Sequence, residues 1–208
     1  MTQESTYFDR MAGKWDDARR QQRTQALADD IFRRVAFQAS QEVLDYGAGT
    51  GQLSLLLAPR VRSVCAADAS RGMLSVLENK LRTAGPVRIE LLLWNAEQDP
   101  PPQRTFDVIV SSMTFHHLRD IPRVLNIFHS LLRRDGQLAV ADLDQEDGDF
   151  HAPDAGALHR GFKREELMTW CSQAGFRDIR IETAHTIQRK VSSGEDKAFS
   201  IFLLTARA

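Results

Sequence analysis

The sequence predicts an α/β fold in which a mainly parallel sheet is covered by helices on both faces. Short β-prone runs alternate with helical patterns through residues 42–142. Glycines at Gly47, Gly49 and Gly51 break the chain between the first strand and its helix, and an acid, Asp68, closes the following strand.

Before the first strand, Phe8, Met11, Trp15, Leu27, Ile31, Phe32 and Val35 recur at helical spacing among charged residues, which predicts two amphipathic helices within 5–37. The arginines there, Arg19, Arg20 and Arg23 with Arg33 and Arg34, stand among glutamines and aspartates and read as a solvated helix face. Residues 42–46 are the first strand, and 52–57 form a helix that Pro59 ends. A second strand over 61–67 leads to Ser70 as N-cap and a helix over 73–81, closed by Gly85 and Pro86. Strands follow at 87–93 and, after the prolines at 100–102, at 106–110, whose unbroken apolar character suits a central strand. Pro122 opens a helix over 121–132, and 136–142 is the fifth strand. Beyond it lie an acidic irregular stretch, a helix over 163–174, and β-like runs at 176–182 and 198–206 that predict an antiparallel hairpin on the sheet edge. The stretch 144–162 is long for a structureless connection and is read as a lid.

Hydrophobic residues at 42% and charged residues at 26% are ordinary globular usage, and 208 residues suit one domain. A formal net charge of -1 gives no electrostatic footprint for nucleic acid. No apolar run approaches the roughly 20 residues of a membrane span. Cys65 reads as a buried strand residue and Cys171 as a helix residue, neither of them a nucleophile; with no signal-like N-terminus, the cytoplasm is the expected location.

Glycines directly after a strand allow a sharp turn and the close approach of a ligand to the backbone. Asp68, at the end of the next strand, can accept hydrogen bonds from both hydroxyls of a ribose. The dinucleotide fingerprint would need Gly or Ala at 52, where Gln52 stands. A nicotinamide-dependent oxidoreductase is therefore the weaker reading. Each feature also has a purely structural explanation, a tight turn for the glycines and a helix N-terminal acid for Asp68.

Val43-Leu-Asp45-Tyr46-Gly47-Ala-Gly49-Thr-Gly51 resembles the first motif of the class I S-adenosylmethionine-dependent methyltransferases, and Ala66-Ala-Asp68-Ala-Ser70 their acidic second-strand motif. In the same order, Trp94-Asn95-Ala96-Glu97 resembles the adenine-side motif, Phe106-Asp-Val-Ile-Val-Ser111-Ser112 the fourth strand, and Leu131-Leu-Arg-Arg-Asp-Gly136 the approach to the fifth. Tyr7-Phe8-Asp9-Arg10-Met11 through Trp15-Asp16 is similar to the opening helix of the small-molecule subgroup related to ubiquinone and menaquinone biosynthesis.

The resemblance implies a three-layer α/β/α Rossmann-like fold with a seven-stranded, mostly parallel sheet and one antiparallel strand. It implies one methyltransferase domain over 1–208, with 1–38 as a helical cap and 144–162 as a lid within it. It places Gly47, Gly49 and Gly51 along the methionine part of S-adenosyl-L-methionine, with Asp45 supporting the turn. Asp68 would hold the ribose, Ala69 and Met73 would flank the adenine with Asn95 and Ala96 on its edge, and Ser111 would face the methionine amino group.

Methyl transfer from a sulfonium is an in-line displacement, so aligning the acceptor and excluding water are the protein's main tasks. His116 and His117, just after the fourth strand, are the candidates for a base. The alternative is that His117 packs or caps a helix while His116 merely borders the pocket. His151, Asp154, His159, Arg160 and Phe162, with Asp142 and Asp144 before them, suit an acceptor lid or equally a surface loop; their spacing suggests no metal. Tyr7, Phe8, Met11 and Trp15 either cover the sulfonium or pack as core. A small-molecule acceptor is expected, because Ser111-Ser112-Met113-Thr114 stands where nucleic-acid and protein methyltransferases carry Asn/Asp-Pro-Pro-aromatic. A non-catalytic S-adenosylmethionine-binding regulator is the remaining rival.

Overall fold

The computed structural model describes residues 3–151, 156–191 and 194–208, with side chains from residue 6. Its strands are β1 (Glu42–Tyr46), β2 (Ser63–Asp68), β3 (Ile89–Leu93), β4 (Phe106–Ser112), β5 (Leu132–Leu143), β6 (Arg177–Lys190) and β7 (Asp196–Arg207). They form one seven-stranded sheet in the order β3-β2-β1-β4-β5-β7-β6. All neighbours pair parallel except at β7, which runs antiparallel to both β5 and β6. The single reversed strand and the terminal hairpin are as expected from the sequence.

Period-two alternation divides the sheet between two apolar layers. Val43, Val64, Val108 and Val110 face helices α2 (Ala18–Arg34) and α3 (Gln52–Leu57), meeting Leu27, Ile31, Leu53 and Leu57. Leu44, Cys65 and Ile109 face the other way, onto Leu125 and Phe128 of α5 (Ile121–Leu131) and Leu167 of α6 (Arg164–Gln173). The helices begin where the sequence supplies caps: Asp17 accepts from Arg20 N (2.8 Å), Ser70 from Met73 N (3.1 Å) at the head of α4 (Arg71–Leu81), and Asp120 from Arg123 N (2.9 Å).

The largest departures from the predicted boundaries lie in β5 and β6. β5 starts at Leu132 rather than 136 because Phe106 pairs with Leu132 and Val108 with Gln137, the intervening residues bulging outward through Asp135 at φ +63. β6 runs to Lys190, well past the predicted 182, because the exposed 183–190 segment pairs its backbone with β7 while showing little apolar signal.

The N-terminal segment is fastened to the carboxyl edge of the sheet by two aspartates. Asp9, on α1 (Gln3–Met11), accepts from Ser70 Oγ (2.6 Å) and Gly72 N (2.8 Å). Asp16 accepts from Thr50 Oγ1 (2.6 Å) and Gln52 Nε2 (2.5 Å), and Lys80 Nζ bridges Asp16 Oδ2 and Thr50 O, each at 2.6 Å. Among the described residues no helix is long and apolar enough to cross a membrane.

At Gly72 the two helices touch backbone to backbone. A Cβ there would stand 2.8 Å from Asp9 Cα and 3.0 Å from Asp9 O, whereas a Cβ on Gly13 would meet nothing within 4 Å. Gly72→Ala is therefore expected to destabilise the chain by about 1–3 kcal/mol in urea unfolding, and Gly13→Ala by less than about 0.5 kcal/mol. Equal effects of the two substitutions would mean that α1 is not docked on α4.

Candidate active site

β1 is flanked by β2 on one side and β4 on the other, so the chain leaves it in opposite directions and a crevice opens at the strands' carboxyl ends. The cleft there encloses about 1130 Å³ of empty space, the open solvent at its mouth included. The turn after β1 forms its floor. Gly47 and Gly51 have φ of +73 and +78, and a Cβ on either would stand 2.2 Å from Thr114 or Leu77. Gly49 also has positive φ, but its Cβ direction is empty, so its backbone is open to a ligand.

Two carboxylates shape this turn. Asp45 Oδ2 accepts from Ser54 Oγ at 2.6 Å. Asp68 Oδ2 accepts from Gly49 N (2.7 Å) and Oδ1 from Ser70 N (2.8 Å), which joins the loops after β1 and β2 and leaves further lone pairs for a ligand. Burial pushes the Asp45 carboxyl up to about 7, opposed by the Ser54 hydrogen bond and reinforced by the charge of Asp68. Burial likewise raises Asp68 to about 6 against the pull of the Ser70 and Gly49 amides.

Asp45, Gly47, Gly49, Asp68, Ala69, Met73 and Asn95 all line the cleft. Asn95 Oδ1 is engaged by Glu97 N at 2.9 Å. Three other expected residues stand away from the wall. Gly51 faces Leu77; Ala96 is fully buried, its amide 3.3 Å from Tyr46 Oη; and Ser111 is buried with Oγ donating to Tyr46 O at 2.9 Å, tying β4 to β1. Strand alternation puts the next residue, Ser112, on the cleft instead.

After β4, Met113 takes a left-handed φ of +57 and starts the 3₁₀ turn Phe115–His117. His117 lines the cleft, with Nδ1 3.0 Å from Gly156 O. His116 points inward, buried, with Nδ1 2.6 Å from Asp142 Oδ1. These positions reverse the expected alternative, in which His116 bordered the pocket. The His116 ring lies tilted against those of His117 (4.1 Å) and His151 (4.6 Å). Burial would raise the Asp142 carboxyl, but the neighbouring His116 charge and hydrogen bond, with the Leu143 amide, hold it below the usual range. Burial, then the charge of His116, pushes His117 down to about 4 and His151 to about 3.

No described residue of 144–162 lines the cleft, and Asp154 falls outside the described residues. The segment instead braces the histidine turn: Leu158 N and His159 N donate to His116 O (2.8 and 3.1 Å), and His159 Nε2 lies 2.8 Å from Leu118 O. Asp144 binds Arg164 in two hydrogen bonds of 2.7 and 2.6 Å. Phe8 and Trp15 form part of the cleft wall, their rings 5.5 Å apart, with Phe8 edge-on to His117 at 4.9 Å. Burial raises the thiols of Cys65 and Cys171 to about 11 and about 12, which leaves both unreactive.

The reading of the α2 arginines as a solvated face needs correction, because Arg20 and Arg23 line the cleft with Thr24. Arg20 lies over the Trp15 ring at 4.3 Å and pairs with Asp17. Arg23 Nε is buried with no hydrogen-bond partner among the described residues. Burial, then the charge of Arg20, pushes the Arg23 guanidinium down to about 10. A signal was present in the sequence, since Arg20 and Thr24 continue toward the N-terminus the stripe that buries Leu27 and Ile31.

A sheet that divides at a glycine turn, with an acid on the adjoining strand, defines a nucleotide-binding α/β protein. The chain belongs to the methyltransferase-domain family, whose model matches residues 18–186. An uncharacterized methyltransferase of Schizosaccharomyces pombe is 27% identical over 158 residues, covering 69% of this chain and 56% of its own length. A ubiquinone/menaquinone biosynthesis C-methyltransferase of Xanthomonas campestris is 31% identical over 115 residues, 53% of this chain and 46% of its own. The chain spans about half the length of the curated relatives it matches. Among solved structures, the YcgJ protein of Bacillus subtilis superposes with a TM-score of 0.72 at 16% identity, covering 88% of this chain and 98% of its own. Phosphoethanolamine N-methyltransferase 2 of Haemonchus contortus, in complex with S-adenosyl-L-methionine, gives 0.71 at 16% identity, covering 88% of this chain and 52% of its own. The fold is thus that of the S-adenosylmethionine-dependent methyltransferases.

The raised Asp45 carboxyl has a consequence for stability. Its folded pKa lies above the unfolded one, so the folded state holds the proton more tightly, and the contribution present below about pH 4 is lost as pH rises toward 7. Asp45→Asn keeps an acceptor for Ser54 and removes the buried charge. The ligand-free variant should melt above the parent at about pH 8, the gap closing toward about pH 4; a gap independent of pH would contradict the assignment.

Proposed function

We propose that the chain transfers the methyl group of S-adenosyl-L-methionine to a small-molecule acceptor by in-line displacement. The observation that carries this reading is the joining of the open Gly49 backbone to the Asp68 carboxylate at the floor of the cleft. When bound, the cofactor supplies a methyl group already activated on a sulfonium.

Asp68 would accept from the ribose hydroxyls through its remaining lone pairs, as the half-buried acid on the β2 side of the cleft. Ala69 and Met73 offer the apolar wall beside it, and Asn95 the polar edge for the adenine. The glycine turn leaves backbone open to the amino-acid portion. Arg23 supplies the charge that portion requires, since a guanidinium fits a carboxylate and its buried Nε has no hydrogen-bond partner among the described residues. Phe8 and Trp15, held by the Asp9 and Asp16 fastenings, exclude water from the site.

In this reading residues 1–38 are the cap of a single domain over 1–208, and 144–162 is a brace for the histidine turn. His117 stands at the acceptor end of the cleft as the candidate base, with His116 behind it. Two buried free thiols suit a reducing compartment, and the cytoplasm is the location we assign.

Calorimetric titration with S-adenosylhomocysteine tests the cofactor reading. Asp68→Ala should weaken binding by about 1.5–3 kcal/mol, the value of hydrogen bonds to a charged group, and NAD should give no heat. Binding of NAD, or unchanged affinity in the folded variant, would overturn it. Arg23→Gln should cost S-adenosylhomocysteine a similar ~1.5–3 kcal/mol while leaving methylthioadenosine, which lacks the carboxylate, unaffected. An equal loss for both ligands would remove Arg23 from the carboxylate.

A further inference from the structure

We propose that the acceptor is an apolar carboxylic acid, its carboxylate held by the open edge of the Arg20 guanidinium and its apolar body lying along the wall formed by Trp15 and Phe8. The proposal rests on the methyltransferase reading and adds to it the chemical class of the acceptor and the residue that selects it.

Arg20 and Arg23 stand one turn apart on α2, and both line the cleft. Of the Arg20 nitrogens only Nη1 is engaged, donating to Asp17 Oδ2 and to Trp15 O at 3.3 Å. Among the described residues neither Nε nor Nη2 of Arg20 makes a hydrogen bond. Those two nitrogens form the edge of the guanidinium whose parallel N–H groups match the two oxygens of a carboxylate. Asp17 is exposed, so water screens its pair with Arg20 and leaves the guanidinium able to attract a second anion. Arg20 itself is half-buried, its Cζ 4.3 Å from the centre of the Trp15 ring, a contact that restrains the side chain against the wall. Ring contacts continue from there, Trp15 to Phe8 at 5.5 Å and Phe8 to His117 at 4.9 Å, and Met113 and Leu118 also line the cleft. One guanidinium edge at the end of an apolar wall is the arrangement that recognises an acid with an apolar body.

The charges on this side of the cleft ask for an anion beyond the cofactor's own. Burial first and the charge of Arg20 next lower the Arg23 pKa, with Arg189 adding to the repulsion and Asp142 and Asp17 opposing it. Arg23 meets the cofactor's carboxylate, but a bound cofactor also carries an ammonium and a sulfonium, so it brings one net positive charge and leaves Arg20 unanswered. The acids that line the cleft belong to β1, β2 and the loop after β3, and each has donors there: Ser54 Oγ for Asp45, the Gly49 and Ser70 amides for Asp68, and the Arg119 and Asp120 amides, both at 2.8 Å, for Glu97. A carboxylate acceptor fills the Arg20 edge and is drawn toward the sulfonium, whereas an ammonium acceptor is repelled by both. Arg20 binds the acid and takes no part in the exchange of bonds.

Ligand-observed NMR titration of the full chain saturated with S-adenosylhomocysteine tests the assignment at neutral pH, with the matched pairs benzoate and benzamide, phenylacetate and phenylacetamide, and with benzylammonium and phenyl phosphate. At least one acid should bind, roughly tenfold or more tightly than its amide. Arg20→Gln should bring that acid down to the level of its amide and leave the amide where it was. Arg20→Lys, which keeps the charge and loses the two-donor edge, should retain only part of the preference, and it decides the matter if the glutamine variant does not fold. Binding of neither acid, equal binding of acid and amide, tighter binding of benzylammonium, or a preference that survives Arg20→Gln overturns the proposal. Phenyl phosphate bound more tightly than both acids overturns the carboxylate class, and loss of S-adenosylhomocysteine in Arg20→Gln moves Arg20 to the cofactor and overturns it equally. Failure of S-adenosylhomocysteine to bind the parent chain overturns the methyltransferase reading and this inference with it, whereas its binding without any preference for an acid overturns this inference alone.

Discussion

The hydrogen bond from Gly49 N–H to Asp68 Oδ2 joins the loops that follow β1 and β2, and the cleft takes its form from that junction. Gly47 and Gly51 must turn with positive φ to bring Gly49 to the acid, and neither leaves room for a side chain. Asp45 and Ser54 hold the base of the same turn from within. Asp16 reaches Thr50 and Gln52 from outside, so the N-terminal segment is fastened to the feature it covers.

The two ends of the cleft carry opposite electrostatic loads. On the β2 side, Asp45 and Asp68 are carboxyls that burial drives toward the protonated form. On the β4 and β5 side, His117 and His151 are imidazoles that burial drives toward the neutral form, beside a guanidinium with an unpartnered Nε. A ligand with hydroxyl donors at one end and a carboxylate toward the other would answer both. This polarity follows from the sheet order, since the chain leaves β1 toward the acids on one side and toward the histidine turn on the other.

Much of the site was legible because its determinants are local. Gly47, Gly49, Gly51, Asp68 and Ser70 act within one turn or one helix cap, and their spacing alone specifies what the backbone must do there. The misplacements of Ser111, His116 and Arg23 involve side-chain direction. Ser111 and Ser112 differ by one step of a strand, and the step decides that one ties β4 to β1 while the other reaches the cleft. His116 and His117 are separated by the left-handed residue Met113 from the strand that would have oriented them, so no periodicity assigns their faces.

The sequence by itself determined the alternation of strands and helices, the glycine turn, the acid at the end of β2 and the caps of the helices, because each depends on residues within a few positions of one another. Only the tertiary structure decided that Arg23 and Trp15 share a wall with Asp68, that Asp142 lies against His116 across the gap between β5 and the turn after β4, and that α1 meets α4 through Gly72. Those contacts bring together residues far apart in the chain. They exist because burying the two faces of the sheet fixes where each loop emerges, a constraint that no local pattern encodes.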